Sequence, residues 1–346
     1  MTSNESAVPM WTKGDGPDAD VVISTRARLA RRLASYPFPS RASGEDLTMI
    51  AREVRAASMG LAKRFPRLRS VSIEKLSREE RSFLLDAHVA SVEQTRGGEG
   101  RMLIVDSAAP LSIMVNEEDH VRLQVVMSGL VCEEAWELVD WADDVLSEKL
   151  DYGCSERYGY LTASVSNVGT GLRVSAMMHL AGLALKQRLN AQLRAAYDLG
   201  VSVRGLFGEG TRSLGDLFQV SNEVTLGLSE REIVERVRSV AQYLLREERA
   251  AREELVGEER SRLVETATRS LGILQGARSV TPGQAITLMS PLRLAAALGL
   301  VGDCPSRLFN ELMVGMQVGA GEDCSVGMER AALLRDKLTG IHILSG

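Results

Sequence analysis

The sequence predicts an α+β protein: a mostly antiparallel sheet flanked by helices, followed by a small all-helical C-terminal domain. Strand-like runs before residue 245 follow one another as hairpins instead of alternating strictly with helices, the pattern of antiparallel pairing. Residues 246–346 carry almost no strand signal, and their apolar residues recur at helical spacing. A length of 346 residues accommodates two such units.

Residues 1–20 read as a flexible lead with one anchor, Trp11. Val21–Ser24 is a short strand running into Thr25-Arg26-Ala27-Arg28. Ser43–Arg64 is helical through Leu47, Ile50, Val54, Met59 and Leu61, and Ser43 with Asp46 forms a capping box. Arg78–Ala90 is a second helix. Arg101–Asp106 and Leu111–Val115 are strands, and Val121–Met127 returns from a hairpin with Asn116–His120 at its tip. Cys132–Leu150 is helical, with Ala135, Leu138, Val139 and Ala142 inward.

Tyr158–Ala163 reads as a strand feeding the turn at Gly169-Thr170-Gly171, and Ser175–Tyr197 as a long helix. Val201–Phe207 and Glu223–Leu228 are the last strands, and Ser229 caps the next helix. Leu255–Leu274, Pro282–Leu300, Ser306–Met316 and Met328–Leu338 are helices. A boundary near residues 245–255 divides a first domain, 21–250, from a helical domain, 251–346.

A net charge of −5 offers no global basic field for nucleic acid. No apolar run approaches bilayer length, so no membrane is expected, and Met1–Pro9 lacks the order of a signal peptide. The cytoplasm is the expected compartment. Cys132, Cys154, Cys304 and Cys324 form no CxxC pair, so free thiols and no protein-held metal are expected. Basic residues are mostly arginine, so only arginines fixed inside a motif carry weight.

Four clusters hold candidate chemistry. Arg26 and Arg28 share one side of an extended segment, as period-two alternation requires, and two guanidiniums on one face suit a polyphosphate. A solvated basic strand end has the same spacing. Glu117, Glu118 and Asp119 crowd the hairpin tip ahead of Arg122, either as a charged tip in water or as a positioned carboxylate beside a phosphate clamp. Gly169-Thr170-Gly171, then Arg173 and a helix, resembles a phosphate-cradling turn; a plain tight turn reads the same. Arg204-Gly205-Leu206-Phe207-Gly208-Glu209 adds a guanidinium and a carboxylate on a glycine-rich loop.

The order of the clusters is more telling than any one of them. STRxR at Ser24–Arg28, NEEDHxR at Asn116–Arg122, SNxGTGLR at Ser166–Arg173, RGxxGE at Arg204–Glu209 and SNxxTLG at Ser221–Gly227 resemble the motif series of the phosphagen (guanidino) kinases. Within them the chain is most similar to the bacterial protein-arginine kinases of the McsB group, through Trp11 with Gly14-Asp15-Gly16-Pro17, the GLFGEGT loop at Gly205–Thr211, and Asn310-Glu311-Leu312-Met313. The resemblance implies a glutamine-synthetase-like catalytic fold and transfer of the γ-phosphoryl group of ATP, with Mg²⁺, to arginine side chains of proteins in a stress or quality-control setting. Small-guanidine kinases carry an N-terminal helical domain for which the residues before Ser24 leave no room.

It further implies Glu118 and Glu209 as the carboxylates that hold and deprotonate the guanidine. Arg26, Arg28, Arg122, Arg173 and Arg204 would be the phosphate clamp. Ser24, Thr25, Ala27, Val174, Ser175, Ala176, Met177, Gly205, Leu206, Phe207 and Gly208 would complete the nucleotide-binding stretches, with His88 a nucleotide contact. A homodimer, a zinc-binding activator protein and a Clp protease are the partners implied. Two departures stand out. Ser164-Val165 occupies the place of the family's Cys-Pro, so a neutral hydroxyl replaces a thiol at the guanidinium. In the tail, Val326–Ala331 retains only Arg330 and Ala331 of the group's phosphoarginine-binding RDxxRA. These departures keep a catalytically weak nucleotide-binding adaptor as the rival, with a small-guanidine kinase behind it.

Overall fold

The computed structural model describes residues 9–106, 108–205, 213–302, 304–305, 307–316 and 324–344. The strands are β1 Val22–Arg31, β2 Arg69–Ser72, β3 Met102–Val105, β4 Leu111–Val115, β5 Val121–Ser128, β6 Cys154–Ser155, β7 Gly159–Tyr160, β8 Leu172–His179, β9 Val201–Gly205 and β10 Leu217–Asn222. Eight of them form one sheet in the order β2-β3-β4-β5-β1-β8-β10-β9, antiparallel throughout. β6 and β7 make a separate two-stranded ribbon.

Helices α1 Gly44–Ser58, α2 Arg78–Asp86, α3 Val92–Thr95, α4 Cys132–Ser147, α5 Ala181–Leu185, α6 Leu189–Asp198 and α7 Glu230–Glu258 surround the sheet. Ser43, Ser77 and Ser229 close reciprocal capping boxes with Asp46, Glu80 and Glu232, which fixes where α1, α2 and α7 begin. One sheet face is apolar. Ala27, Leu29, Leu123, Val125, Leu172 and Val174 pack there against Leu138, Val139 and Ala142 of α4 and Ile233 and Val237 of α7.

Helices α8 Arg260–Gly276, α9 Pro282–Ala297, α10 Arg307–Gly315 and α11 Cys324–Lys337 follow, with a short pair β11 Val301–Gly302 and β12 His342–Ile343. They share a hydrophobic cluster with Trp11, Ala87, Val126, Met177 and Leu217, so the helical region packs against the far end of the sheet. α7 runs unbroken through residue 250.

The structure corrects several expectations. Ser175–Tyr197 is not one helix: β8 extends to His179, and α5 and α6 follow. Leu172, Val174, Ala176 and Met178 alternate with Arg173, Ser175 and Met177, a period of two that the clustered Met177, Met178 and Leu180 disguised. His179 therefore ends a strand, and His88 follows α2 in a left-handed conformation (φ 57°) instead of on a helical face. The STRAR segment is interior to a ten-residue strand. Strand β10 ends at Asn222, ahead of the 223–228 stretch expected to be extended, because Asn222 turns its side chain onto β8. β2 went unpredicted; it is a short exposed edge with little apolar signal.

Candidate active site

The register of four strand pairs assembles the clusters on the polar face of the sheet. Arg26 stands opposite Ser175, Arg28 opposite Arg173 and Ala30 opposite Arg122; Ser221 faces Ser175, and Gln219 faces Arg204. Paired residues share a face. Five guanidiniums, from Arg26, Arg28, Arg122, Arg173 and Arg204, thus line one surface. No described carboxylate lies within 4.0 Å of those of Arg26, Arg28 or Arg173.

Their electrostatics reflect that crowding. Burial first, then Arg122 and Arg173, lowers Arg26 to about 10. Burial, Arg122 and Arg26 carry Arg28 well below its ordinary value. Arg173 moves down through burial, Arg204 and Arg122. Such a concentration of like charge is destabilising unless an anion neutralises it, and planar guanidinium forks match phosphate oxygens.

The same alternation turns Thr25, Ala27, Val174 and Ala176 to the apolar face, leaving Ser24, Ser175 and Met177 with the arginines. Thr25 instead donates to the Gly129 carbonyl at 2.6 Å. Ser24, Arg26, Ser175 and Gln219 line a cavity of about 230 Å³ whose other wall includes His88 and Ser91. Gln219 and Ser202 were missed from sequence, and Ser221 was noted only as a motif residue; their signal is the polar member of each alternating pair in β9 and β10. Gly205 ends β9 opposite Phe218, and Leu206, Phe207, Gly208 and Glu209 lie outside the described residues.

The hairpin tip separates its acidic groups by role. Glu117 is buried, ion-paired with Arg122 and hydrogen-bonded to the Ser91 hydroxyl. Asp119 Oδ1 accepts from the backbone N–H of Ala163 at 2.7 Å. His120 accepts from Leu33 N–H at Nδ1 and donates from Nε2 to the Pro37 carbonyl. Asn116, in the left-handed region, donates to the carbonyls of Leu47 and Gly100. Glu118 alone is exposed, and its carboxylate pairs with no described residue. Asp119 thereby ties the loop bearing Ser164 to the turn bearing Glu118. Ser164 shares a hydrogen bond with Ser166 at 2.9 Å.

The glycine turn works differently from a helix-capped phosphate cradle, since a strand follows it. Gly171 (φ 68°) lies where a Cβ would meet Arg31 and the Ala30 carbonyl. Buried Arg31 pairs with Asp143 of α4 at 2.7 Å and donates to the Thr170 carbonyl at 2.8 Å, pinning the turn to the sheet. Asn222 accepts from Val174 N–H and donates to the Leu172 carbonyl, and Thr225 donates to the carbonyls of Ser166 and Val168. The Asn and Thr of the SNxxT motif are therefore scaffold for Arg173. Arg330 is likewise committed, donating to the carbonyls of Met316 and Val280.

Comparison with known proteins agrees with this arrangement. The family model for the ATP:guanido phosphotransferase C-terminal catalytic domain matches residues 49–251, and that for the protein-arginine kinase McsB C-terminal domain matches residues 260–342. A protein-arginine kinase of Pelotomaculum thermopropionicum is 42% identical over 88% of this chain and 86% of its own length. One from Moorella thermoacetica is 38% identical over 98% of this chain and 100% of its own. Among solved structures, a lombricine kinase shares the fold with a TM-score of 0.60 at 24% identity, over 69% of this chain and 68% of its own. A duplicated taurocyamine kinase from Schistosoma mansoni does so at 0.61 and 24%, over 75% and 38%. The chain belongs to the ATP:guanido phosphotransferase family, in its protein-arginine kinase branch.

Proposed function

We propose that this chain is an ATP-dependent protein-arginine kinase that transfers the γ-phosphoryl group to guanidinium groups of substrate proteins. The observation that carries the reading is one sheet face with five guanidiniums, bordered by a hairpin tip whose one unengaged carboxylate is Glu118. Arg26, Arg28, Arg122, Arg173 and Arg204 hold the phosphates and offset the charge spread over the transferred group. Ser24, Ser175 and His88 bound the nucleotide cavity. Mg²⁺ enters with ATP as part of the substrate, carried chiefly by phosphates and water.

A guanidinium is a poor nucleophile because it is protonated and its lone pairs are delocalised. Removing a proton at pH 7 from a group titrating near 12.5–13.8 costs roughly 7–9 kcal/mol. Glu118 takes that proton as transfer proceeds, and Glu209 is the second carboxylate that holds the guanidine in line. The Ser164 hydroxyl accepts a hydrogen bond from the guanidinium without adding charge. The catalytic unit is residues 21–250 and the helical unit 251–346, a division supported by the two family models meeting between residues 251 and 260. A cytoplasmic site of action, a stress role, a homodimer, a zinc-binding activator and a Clp protease belong to the same reading.

The test is incubation with labelled ATP and an arginine-rich unfolded protein, then mild acid. An N–P bond is acid-labile and a phosphoester is not. Acid-labile label is expected. Its absence with ATP still bound would favour the nucleotide-binding adaptor.

A further inference from the structure

Three loops meet beside Ser164. Tyr160 and Gly169 exchange backbone hydrogen bonds at 2.8 and 3.2 Å, joining the ribbon to the glycine turn. Thr225 donates to the Ser166 and Val168 carbonyls and accepts from Thr170 N–H, which adds the 223–228 turn. The Asp119–Ala163 hydrogen bond joins this assembly to the tip bearing Glu118.

These loops expose large apolar side chains alongside the charged Glu156, Arg157 and Glu223. Thirteen large hydrophobic side chains are exposed among the described residues, and four project from here: Tyr158, Val165 (87% exposed), Val224 and Leu226. Four from such short segments is far more than their share. Isolated exposed apolar residues need no explanation, but a cluster at the rim of a site does. Val165 sits on a 3-10 turn held in place by Thr225, so its exposure is built in, not a consequence of fraying.

We infer that Tyr158, Val165, Val224 and Leu226 form a docking surface for large apolar residues that flank the target arginine in an extended, unfolded polypeptide. The inference rests on the kinase reading. An extended arginine side chain places its guanidinium roughly 6–7 Å from its Cα, by standard bond lengths. A protein-borne guanidine that reaches Glu118 and Ser164 must therefore leave its backbone on the surrounding rim. Neighbours one or two residues away, at roughly 3.3–3.6 Å per residue, are then carried onto the rim that begins at Val165, next to Ser164. Folded proteins bury most of their Leu, Ile and Phe. A site requiring such a flank discriminates against surface arginines of native proteins and selects chains that have lost their fold.

The experiment compares two peptides, one with the arginine between leucines and one with it between glycines and serines. Incorporation of acid-labile label gives kcat/KM for each, and fluorescence anisotropy gives peptide affinity. The wild-type protein is expected to prefer the leucine-flanked peptide by about tenfold or more. In the Val165→Ser/Leu226→Ser double variant that ratio is expected to fall to near one, with an unchanged melting temperature because both positions are exposed. Equal values in wild type, or an unchanged ratio in the variant, would overturn the inference. A change of oligomeric state with the ratio preserved would instead assign the surface to a second copy of the chain. No label on either peptide would sink the kinase reading; anisotropy would still decide, since only an apolar rim favours the leucine-flanked peptide.

Discussion

Arg28 and Arg173 stand directly opposite each other on adjacent antiparallel strands, two like charges where a stable sheet normally places complementary ones. Burial lowers both, joined at Arg28 by repulsion from Arg122, Arg26 and Arg173 and at Arg173 by repulsion from Arg204 and Arg122. The protein bears this cost when no anion is bound, and on the kinase reading a polyphosphate relieves it. Arg28→Met is therefore expected to stabilise the apo protein by about 1 kcal/mol while abolishing the nucleotide-induced rise in melting temperature. Wild type at 100 times Kd should gain about 2.7 kcal/mol from ATP. A variant that melts lower than wild type and still responds to ATP would contradict this role.

Glu118 is exposed and forms no ion pair with the described arginines, so its neutral isostere should leave the clamp intact. Glu118→Gln is expected to reduce labelling by about 10²–10⁴-fold, the usual range for loss of a general base. ATP affinity by isothermal titration should change little. Ser164→Cys is expected to raise kcat, because a thiol there can ionise next to the guanidinium where a hydroxyl cannot. Equal rates would show that the serine is no handicap.

Asp119 is raised to about 6, chiefly by burial, with the charges of Glu118 and Glu117 adding to it against the Ala163 hydrogen bond. A carboxyl raised above its unfolded value favours the fold when protonated. That contribution is fully present below about pH 3.8 and is lost as pH rises through about 6. Ionised Asp119 thus costs on the order of 3 kcal/mol at neutral pH. Asp119→Asn keeps an oxygen acceptor for Ala163 N–H and carries no charge. It is expected to raise the melting temperature at pH 7 and to leave it nearly unchanged at pH 4. A uniform loss at both pH values would mean that the ionised carboxylate stabilises the loop.

Much of this site was legible in the sequence because its residues carry their own geometry. Arg26 and Arg28 are two apart, which in a strand fixes them to one face, and the NEEDHxR tip falls between two clear apolar strands. What was not legible depended on partners distant in the chain. The pairing of Arg28 with Arg173 spans β1 and β8, and no local signal sets that register. Thr25 and Val174 looked like site residues because they lie inside the motifs, yet alternation sends them to the core. The strand after Gly171 was misread from Ser175 onward as a helix because Met177, Met178 and Leu180 mimic helical spacing once Arg173 is taken with the turn. Asp119 looked like a candidate carboxylate but serves, like His120, as a fastener, a distinction that only their hydrogen bonds reveal.

Trp11 stacks behind His88, which lines the cavity of about 230 Å³ beside Arg26. Their rings stack at 5.0 Å and 16°, and Trp11 Nε1 donates to the Ala87 carbonyl at 3.0 Å. This contact braces a histidine whose φ of 57° is otherwise unfavourable for a non-glycine residue. Burial and Arg26 push His88 down to about 4, so it lines the cavity as a neutral ring at pH 7. Its folded value lies below its unfolded one. The associated stability is present above about pH 6.5 and is lost as pH falls through about 4, opposite in sign to the Asp119 term. The brace extends into the helical region: Arg293 donates to Asn310 Oδ1 at 2.7 Å, and Asn310 donates to the Thr12 carbonyl at 3.4 Å. Trp11→Ala is expected to destabilise by about 3–5 kcal/mol and to raise KM for ATP more than it lowers kcat. Trp11→Phe keeps a stacking ring, loses only the Nε1 hydrogen bond, and should recover most of the ATP affinity at a modest cost in melting temperature. Asn310→Ala leaves the stack in place but frees Thr12, so an intermediate KM is expected. If Trp11→Ala, still folded by circular dichroism, binds ATP as wild type does, the stack serves stability alone and the helical region has no hold on the nucleotide through it.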